Sequence, residues 1–152
     1  MMSHCTTFEF SYVDEETIAK AFGKMGIIPT TGLVSIFSSD FSKKVLSKIG
    51  YMGTQQFRAI CGQTADDFNL FVCQVEAGSY KLLIERGTAS AGDEALMAEL
   101  ALSFQKAYIS VAIDGTIKRI EASGVPARVR ESPQGFEVEF GPHYEYSIHV
   151  TF

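Results

Sequence analysis

Residues 68–75, FNLFVCQV, are apolar on both faces of an extended chain. Phe68, Leu70 and Val72 fall on one side and Phe71, Cys73 and Val75 on the other, because successive side chains of a strand point to opposite faces. Most antiparallel strands alternate apolar with polar residues, since one face meets water. A strand without that alternation belongs in the middle of a sheet that is covered on both sides, or it lies at an interface. The rest of the chain has to supply its neighbours.

Two neighbours follow the same extended pattern: QQFRAIC (55–61) before it and YKLLIER (80–86) after it. Ala77-Gly78-Ser79 joins the last two as a short hairpin connection. Near the start, TTFEFSYV (6–13) alternates cleanly, with Phe8, Phe10 and Tyr12 on one face. Asp14 stands where a helix N-cap belongs, and Glu15 and Glu16 suit the positive helix end. Ile18, Phe22 and Met25 repeat at helical spacing, and Gly26 with Pro29 ends the helix. LVSIF (33–37) reads as a short strand. Ser39-Asp40 caps a second helix with Phe41, Val45 and Ile49 on its apolar face. Lys43, Lys44 and Lys48 form its solvated side. GTASAG (87–92) is a small-residue loop that lacks the Lys and the spacing of a phosphate-binding loop.

Asp93 caps a long helix whose expected stripe is Leu96, Leu100, Phe104, Ala107 or Tyr108, and Val111. Two signals compete beyond it. Asp114-Gly115 favours a hairpin, yet Ile113, Ile117 and Ile120 keep helical spacing and Gly124-Val125-Pro126 makes a good stop. The preferred reading is helix to about residue 123, with a weak point near Gly115. ARVRE (127–131) and FEVEF (136–140) then form a hairpin about Pro133 and Gly135. Its register follows from chemistry: Arg130 opposite Glu137, Arg128 opposite Glu139, and Val129 opposite Val138. YEYSIHVTF (144–152) directs Tyr144, Tyr146, Ile148, Val150 and Phe152 inward. Helices scattered among mainly antiparallel hairpins predict a single α+β domain over 1–152. It is a two-layer sandwich with two to three helices on one face of a twisted sheet.

Several of these stretches together resemble a known family. They are Met2-Ser3-His4 with the Thr-containing strand after it, the helix TIAKAFGKMG, the strand–turn–strand ADDFNLFVCQVEAGSYKLLIE, and FQKAY followed by a helix and a terminal hairpin. The pattern resembles the hypothetical chloroplast reading-frame thirty-five family, a domain of unknown function in cyanobacteria, algal plastids and other bacteria. The resemblance covers about residues 2–26 and 65–140. It departs from the family at Cys5, where an aromatic is usual, and in having no Trp after the Gly-Ser-Tyr strand. The strand 144–152 looks like an extension. The resemblance implies a fold and an intracellular setting, cytoplasm or plastid stroma, and supports the long helix. It implies no reaction.

Composition narrows the function classes. A chain of 152 residues buries about 68–70% of its unfolded surface and needs no metal or disulfide to fold. The formal charge of −5 argues against nucleic acid or an anionic membrane as partner. No run approaches ~18 consecutive apolar residues, so no membrane span is expected. Three cysteines without CxxC spacing, behind no recognisable secretion signal, predict reduced thiols in a cytosol-like compartment.

The reactive residues form no diagnostic motif. His4, Cys5, Cys61, Cys73, His143 and His149 are chemically suitable metal ligands, but no pair has ligand spacing, so neither metal nor cofactor is expected. A Cys–His nucleophile pair, from Cys5 or Cys61 with His143 or His149, has no supporting signature. Asp66, Asp67, Glu85 and Arg86 suit a polar ligand or a cation, and turn chemistry accounts for them equally well. Two function classes remain. One is an intracellular accessory protein that docks a protein partner or a second copy of itself through an edge strand or through the bare face of the sheet, where Phe71, Cys73, Val75 and Leu83 form an apolar strip. The other is a small-molecule binding protein or minor enzyme with a cleft between the sheet and the long helix, near His4, Tyr12, Tyr80 and Tyr108.

Overall fold

A computed structural model describes the backbone of residues 4–35, 56–86 and 93–151, and side chains over 11–33, 58–86 and 93–151. The expected helix at 40–49 and the loop GTASAG lie outside the described residues. The chain is α+β and forms two compact units, Met1–Phe104 and Gln105–Phe152. Its elements are β1 (His4–Tyr12), α1 (Glu15–Lys24), β2 (Thr30–Ser35), β3 (Gln56–Gln63), β4 (Phe68–Glu76), β5 (Ser79–Arg86), α2 (Asp93–Ala122), β6 (Ala127–Ser132), β7 (Gly135–Phe140) and β8 (Tyr146–Thr151). The strands expected in one sheet divide between two: an antiparallel five-stranded sheet ordered β1-β5-β4-β3-β2 and a three-stranded sheet ordered β6-β7-β8.

In the first unit β4 is the central strand, as its doubly apolar sequence requires. Register places Ile60 beside Val72 and Leu82, and Leu70 beside Ile84, on one face, all fully buried. Helix α1 lies against that face. Asp14 accepts the Thr17 backbone N–H at 3.1 Å and caps it, and Ile18, Ala21 and Phe22 turn inward. A side chain at Gly62 of β3 would collide with Ile27, and its Cβ would stand 3.0 Å from the Phe22 ring. The helix sits this close because Gly62 has no side chain. Phe104 of α2 completes the layer, with its ring centre 4.9 Å from Phe22 and 5.0 Å from Tyr12.

The opposite face of the same sheet is closed as well. Cys73, Leu83 and Ala59 are fully buried there, and Phe71 and Val75 are half-buried. The bare strip expected from the sequence is therefore not a free surface: the chain itself screens its centre from water. Of the two readings that FNLFVCQV allows, the structure realises the covered one.

The two helices end alike. In each, a glycine at positive φ (Gly26, +74°; Gly124, +89°) donates to the carbonyl three residues back, and the next residue donates five back. Ile27 N reaches Phe22 O at 3.0 Å and Val125 N reaches Ile120 O at 3.4 Å. This double bond pattern satisfies carbonyls that a helix end otherwise leaves unpaired.

Helix α2 runs unbroken to Ala122, so the helical spacing of its isoleucines prevails over the Asp114-Gly115 hairpin signal. Its buried stripe is Met97, Ala101, Phe104 and Tyr108, while Leu96 and Leu102 are exposed. The stripe keeps the expected Phe104 and Tyr108 and shifts by one residue in the first two turns, from Leu96 and Leu100 to Met97 and Ala101. α2 is apolar on most sides, so its sequence marks the inward side poorly, and packing of Phe104 on Tyr12 and Phe22 sets it. By length and composition alone α2 is able to cross a bilayer, with mean hydropathy 1.3 over an 18-residue window that is 28% buried. That test is also passed by core helices.

In the second unit the register matches the expectation: Arg128 opposite Glu139, Val129 opposite Val138, Arg130 opposite Glu137. The turn is Pro133-Gln134, and a side chain at Gly135 would collide with the Val150 carbonyl oxygen. Strand β8 begins at Tyr146, not Tyr144, because Tyr144 takes φ +54° in a turn closed by its N–H on Gly141 O at 3.1 Å. Ile113 of α2 packs on Phe136 and Val138, with Ile109, Ile117 and Val150 around them.

Candidate functional site

Of the four residues expected to line a ligand cleft, register sets two together and one apart. Tyr12 and Tyr80 face each other across β1 and β5. His4 is at the far end of β1, opposite Arg86, and eight extended residues span about 26 Å. Tyr12, Tyr80 and Tyr108 are all buried. Tyr12 presents its ring edge-on to Phe104 and is a core aromatic. Tyr80 meets a polar pair in which Arg58 Nε and Nη2 donate to the two Glu15 oxygens at 2.6 and 3.1 Å. The guanidinium holds the Glu15 carboxyl below its usual range. Burial, then the Glu15 charge, pushes the Tyr80 hydroxyl up. The cluster therefore keeps a fixed charge near neutral pH and ties α1 to the sheet.

The acidic residues serve turns and anchors. Asp67, at φ +64°, closes a tight turn by donating its N–H to Thr64 O at 3.1 Å. Arg86 donates to Asp93 at 2.8 Å and lies 4.7 Å over the Phe68 ring, fastening the first turn of α2 to β5. Asp66 borders a shallow cleft of about 210 Å³ with Phe68, Glu99 and Ser103, smaller than the ~300 Å³ at which ligand pockets begin. Burial raises the Glu85 carboxyl.

Cys61 and Cys73 are packing residues of the first sheet. Cys5 is opposite Glu85 and Cys61 opposite Phe71, and Cys73 lies between Ala59 and Lys81, so the three register positions share the second face of the first sheet. Cys61 and Cys73 are unbridged. Burial pushes the Cys61 thiol up to about 11, which leaves it un-ionised and a poor nucleophile. His143 and His149 belong to the second unit. Among the described residues no three His, Cys, Asp or Glu side chains are grouped to hold a metal.

Exposed large apolar residues occur in both units, Val13, Ile28, Leu33, Leu96 and Leu102 in the first and Val129, Tyr146 and Ile148 together on one face of the three-stranded sheet. Register assigns Ala127, Val129 and Glu131, then Phe140, Val138 and Phe136, then Tyr146, Ile148 and Val150 to one face. Phe136 and Val138 on the middle strand are buried. On either side of them Val129 is 39% exposed, Ile148 48% and Tyr146 57%. One helix is too narrow for three strands, so the apolar face has an uncovered rim. Sequence alternation identifies these residues as one face but cannot show what covers it.

The other face carries matched charge. Arg128 donates to Glu139 at 3.0 Å and lies 4.1 Å over the Tyr144 ring. Arg130, although opposite Glu137, reaches diagonally to within 2.7 Å of the second Glu139 oxygen, close enough to pair but not aligned as a hydrogen bond. Arg128 and Arg130 together hold the Glu139 carboxyl below its usual range. His149 stands 3.8 Å from Glu137. A hollow of about 390 Å³ beside Arg130, Gln134 and His149 has walls of both signs and selects neither.

Comparison with protein-family models, with curated proteins and with solved structures finds no match to this chain.

Proposed function

We propose that this chain is an accessory protein that works by association, docking a protein partner or a second copy of itself through the three-stranded sheet. One observation carries the reading: Tyr146 and Ile148 stand exposed beside buried Val138, a contiguous apolar rim of the kind that marks interaction surfaces. The unbridged Cys61 and Cys73 suit a reducing compartment such as cytoplasm or plastid stroma. The likeness to the chloroplast reading-frame family is part of the same proposal and brings no reaction with it. The burial of Tyr12, Tyr80 and Tyr108 favours docking over the small-molecule or minor-enzyme alternative.

Site-specific photo-crosslinking tests the reading. A benzophenone side chain placed at position 146 or 148 of the full chain in its own cell should give a discrete protein adduct. The same group at exposed Asp66 should not. No adduct from either rim position overturns the reading.

A further inference from the structure

We propose that the occupant of this rim is a second copy of the chain, paired antiparallel through β8 to make a continuous six-stranded sheet. The inference rests on the docking reading and names the partner.

The two edges of the three-stranded sheet differ. Edge strand β6 carries Arg128 and Arg130, both substantially exposed. Self-pairing of β6 about Val129 would set each Arg128 opposite the other copy's Arg130, and like charges directly opposed across strands repel. Charged edge residues are a usual guard against strand addition. Edge strand β8 has no such guard. Between Tyr146 and Thr151 it has no Lys, Arg, Asp, Glu or Pro, and its ladder with β7 runs six pairs without a bulge. Five of its six residues are exposed and Val150 is half-buried.

The sequence of β8 also complements itself. A twofold axis at Ile148 sets Ile148 against its own copy, Tyr146 against Val150, and Ser147 against His149. Apolar residues meet apolar residues on the face that already carries Phe136 and Val138, and no like charges are opposed. The edges of the five-stranded sheet are poorer templates. The β1 ladder is irregular between Thr7 and Ser11. Strand β2 has Gly32 in its middle, which weakens pairing, and Leu33 as its one exposed large apolar residue among the described side chains.

Six-residue strand addition makes a small interface, so the dimer is weak and forms at high chain concentration. Sedimentation equilibrium of the purified full chain up to about 500 µM should show reversible dimerisation. Ile148→Lys puts two ammonium groups opposite each other at the axis and should weaken the dimer at least about tenfold. Asp66→Lys, at an exposed position of the first unit outside the rim, should leave it intact. The wild-type chain supplies a readout free of folding artefacts: amide hydrogens of β8 should exchange more slowly as concentration rises, and those of β6 should not. A chain that stays monomeric throughout, or a dimer that Ile148→Lys leaves unchanged, overturns self-pairing. If the purified chain is monomeric while position 148 still crosslinks to a different protein, only the choice of partner fails; absence of any adduct removes the docking reading itself.

Discussion

The two sheets solve the same problem to different degrees. In the five-stranded sheet, β4 has fully buried side chains on both faces: Leu70 and Val72 on one, Cys73 on the other. In the three-stranded sheet, β7 is buried on one face only, and its flanking strands leave Tyr146, Ile148 and Val129 in water. The difference follows from how much covers each sheet. The helix-bearing face of the first sheet has α1, Phe104 and the Gly62 notch, whereas the second has one stretch of helix for three strands. A sheet closed on both faces is a folding core, and one with an apolar rim is a surface still able to bind.

That contrast is breakable by measurement. Phe104→Ala removes the ring shared by Tyr12 and Phe22 and should cost about 3–5 kcal/mol in denaturant unfolding. Ile148→Ala should cost under about 1 kcal/mol, since that side chain is half in water already. Equal costs would erase the distinction between core and rim.

A chemical probe sharpens the claim that the second face of the first sheet is dry. With its thiol raised to about 11, Cys61 should react with a disulfide reagent at pH 8 about a hundredfold more slowly in the native chain than in the unfolded one. The raised value also fixes a sign. The unfolded thiol loses its proton near its ordinary value of 9.0 and the folded one near 11. The folded chain therefore binds more protons between these values, and the Cys61 contribution to stability is lost as pH rises through that window. Cys61→Ala should flatten the decline.

Smaller effects come from glycines. Gly62→Ala forces a methyl against Ile27 and Phe22 and should destabilise by about 1–3 kcal/mol. Gly115 is exposed within α2, and a methyl there would meet nothing within 4 Å, so it should behave oppositely. Gly115→Ala should stabilise by about 0.5–1 kcal/mol, read as a rise in Tm.

Much of the local structure was legible, and for identifiable reasons. The β6–β7 register is readable because two independent patterns, Arg against Glu and Val against Val, select one alignment of the strands. The helix ends are readable because Gly26 and Gly124 occupy the position that requires positive φ. The division into two sheets is not readable, since nothing in TTFEFSYV says that His4 will pair with Arg86. The burial of Cys73 and Leu83 is not readable for a related reason. Alternation assigns a residue to a face, but coverage of that face depends on segments distant in the chain. The same gap hid the rim, where Tyr146 and Ile148 carry the inward pattern and yet meet solvent.

The pairing of β1 with β5 has a consequence during synthesis. The hairpins β3–β4 and β4–β5 close between neighbours in the chain, but β1 has its only described partner in a strand made much later. At about 5–20 residues per second, the first strand to leave the ribosome waits several seconds for the last strand of its sheet. The nascent segment TTFEFSY spends that interval with its backbone groups paired to water alone and three aromatic rings uncovered, the kind of exposed strand edge that favours aggregation.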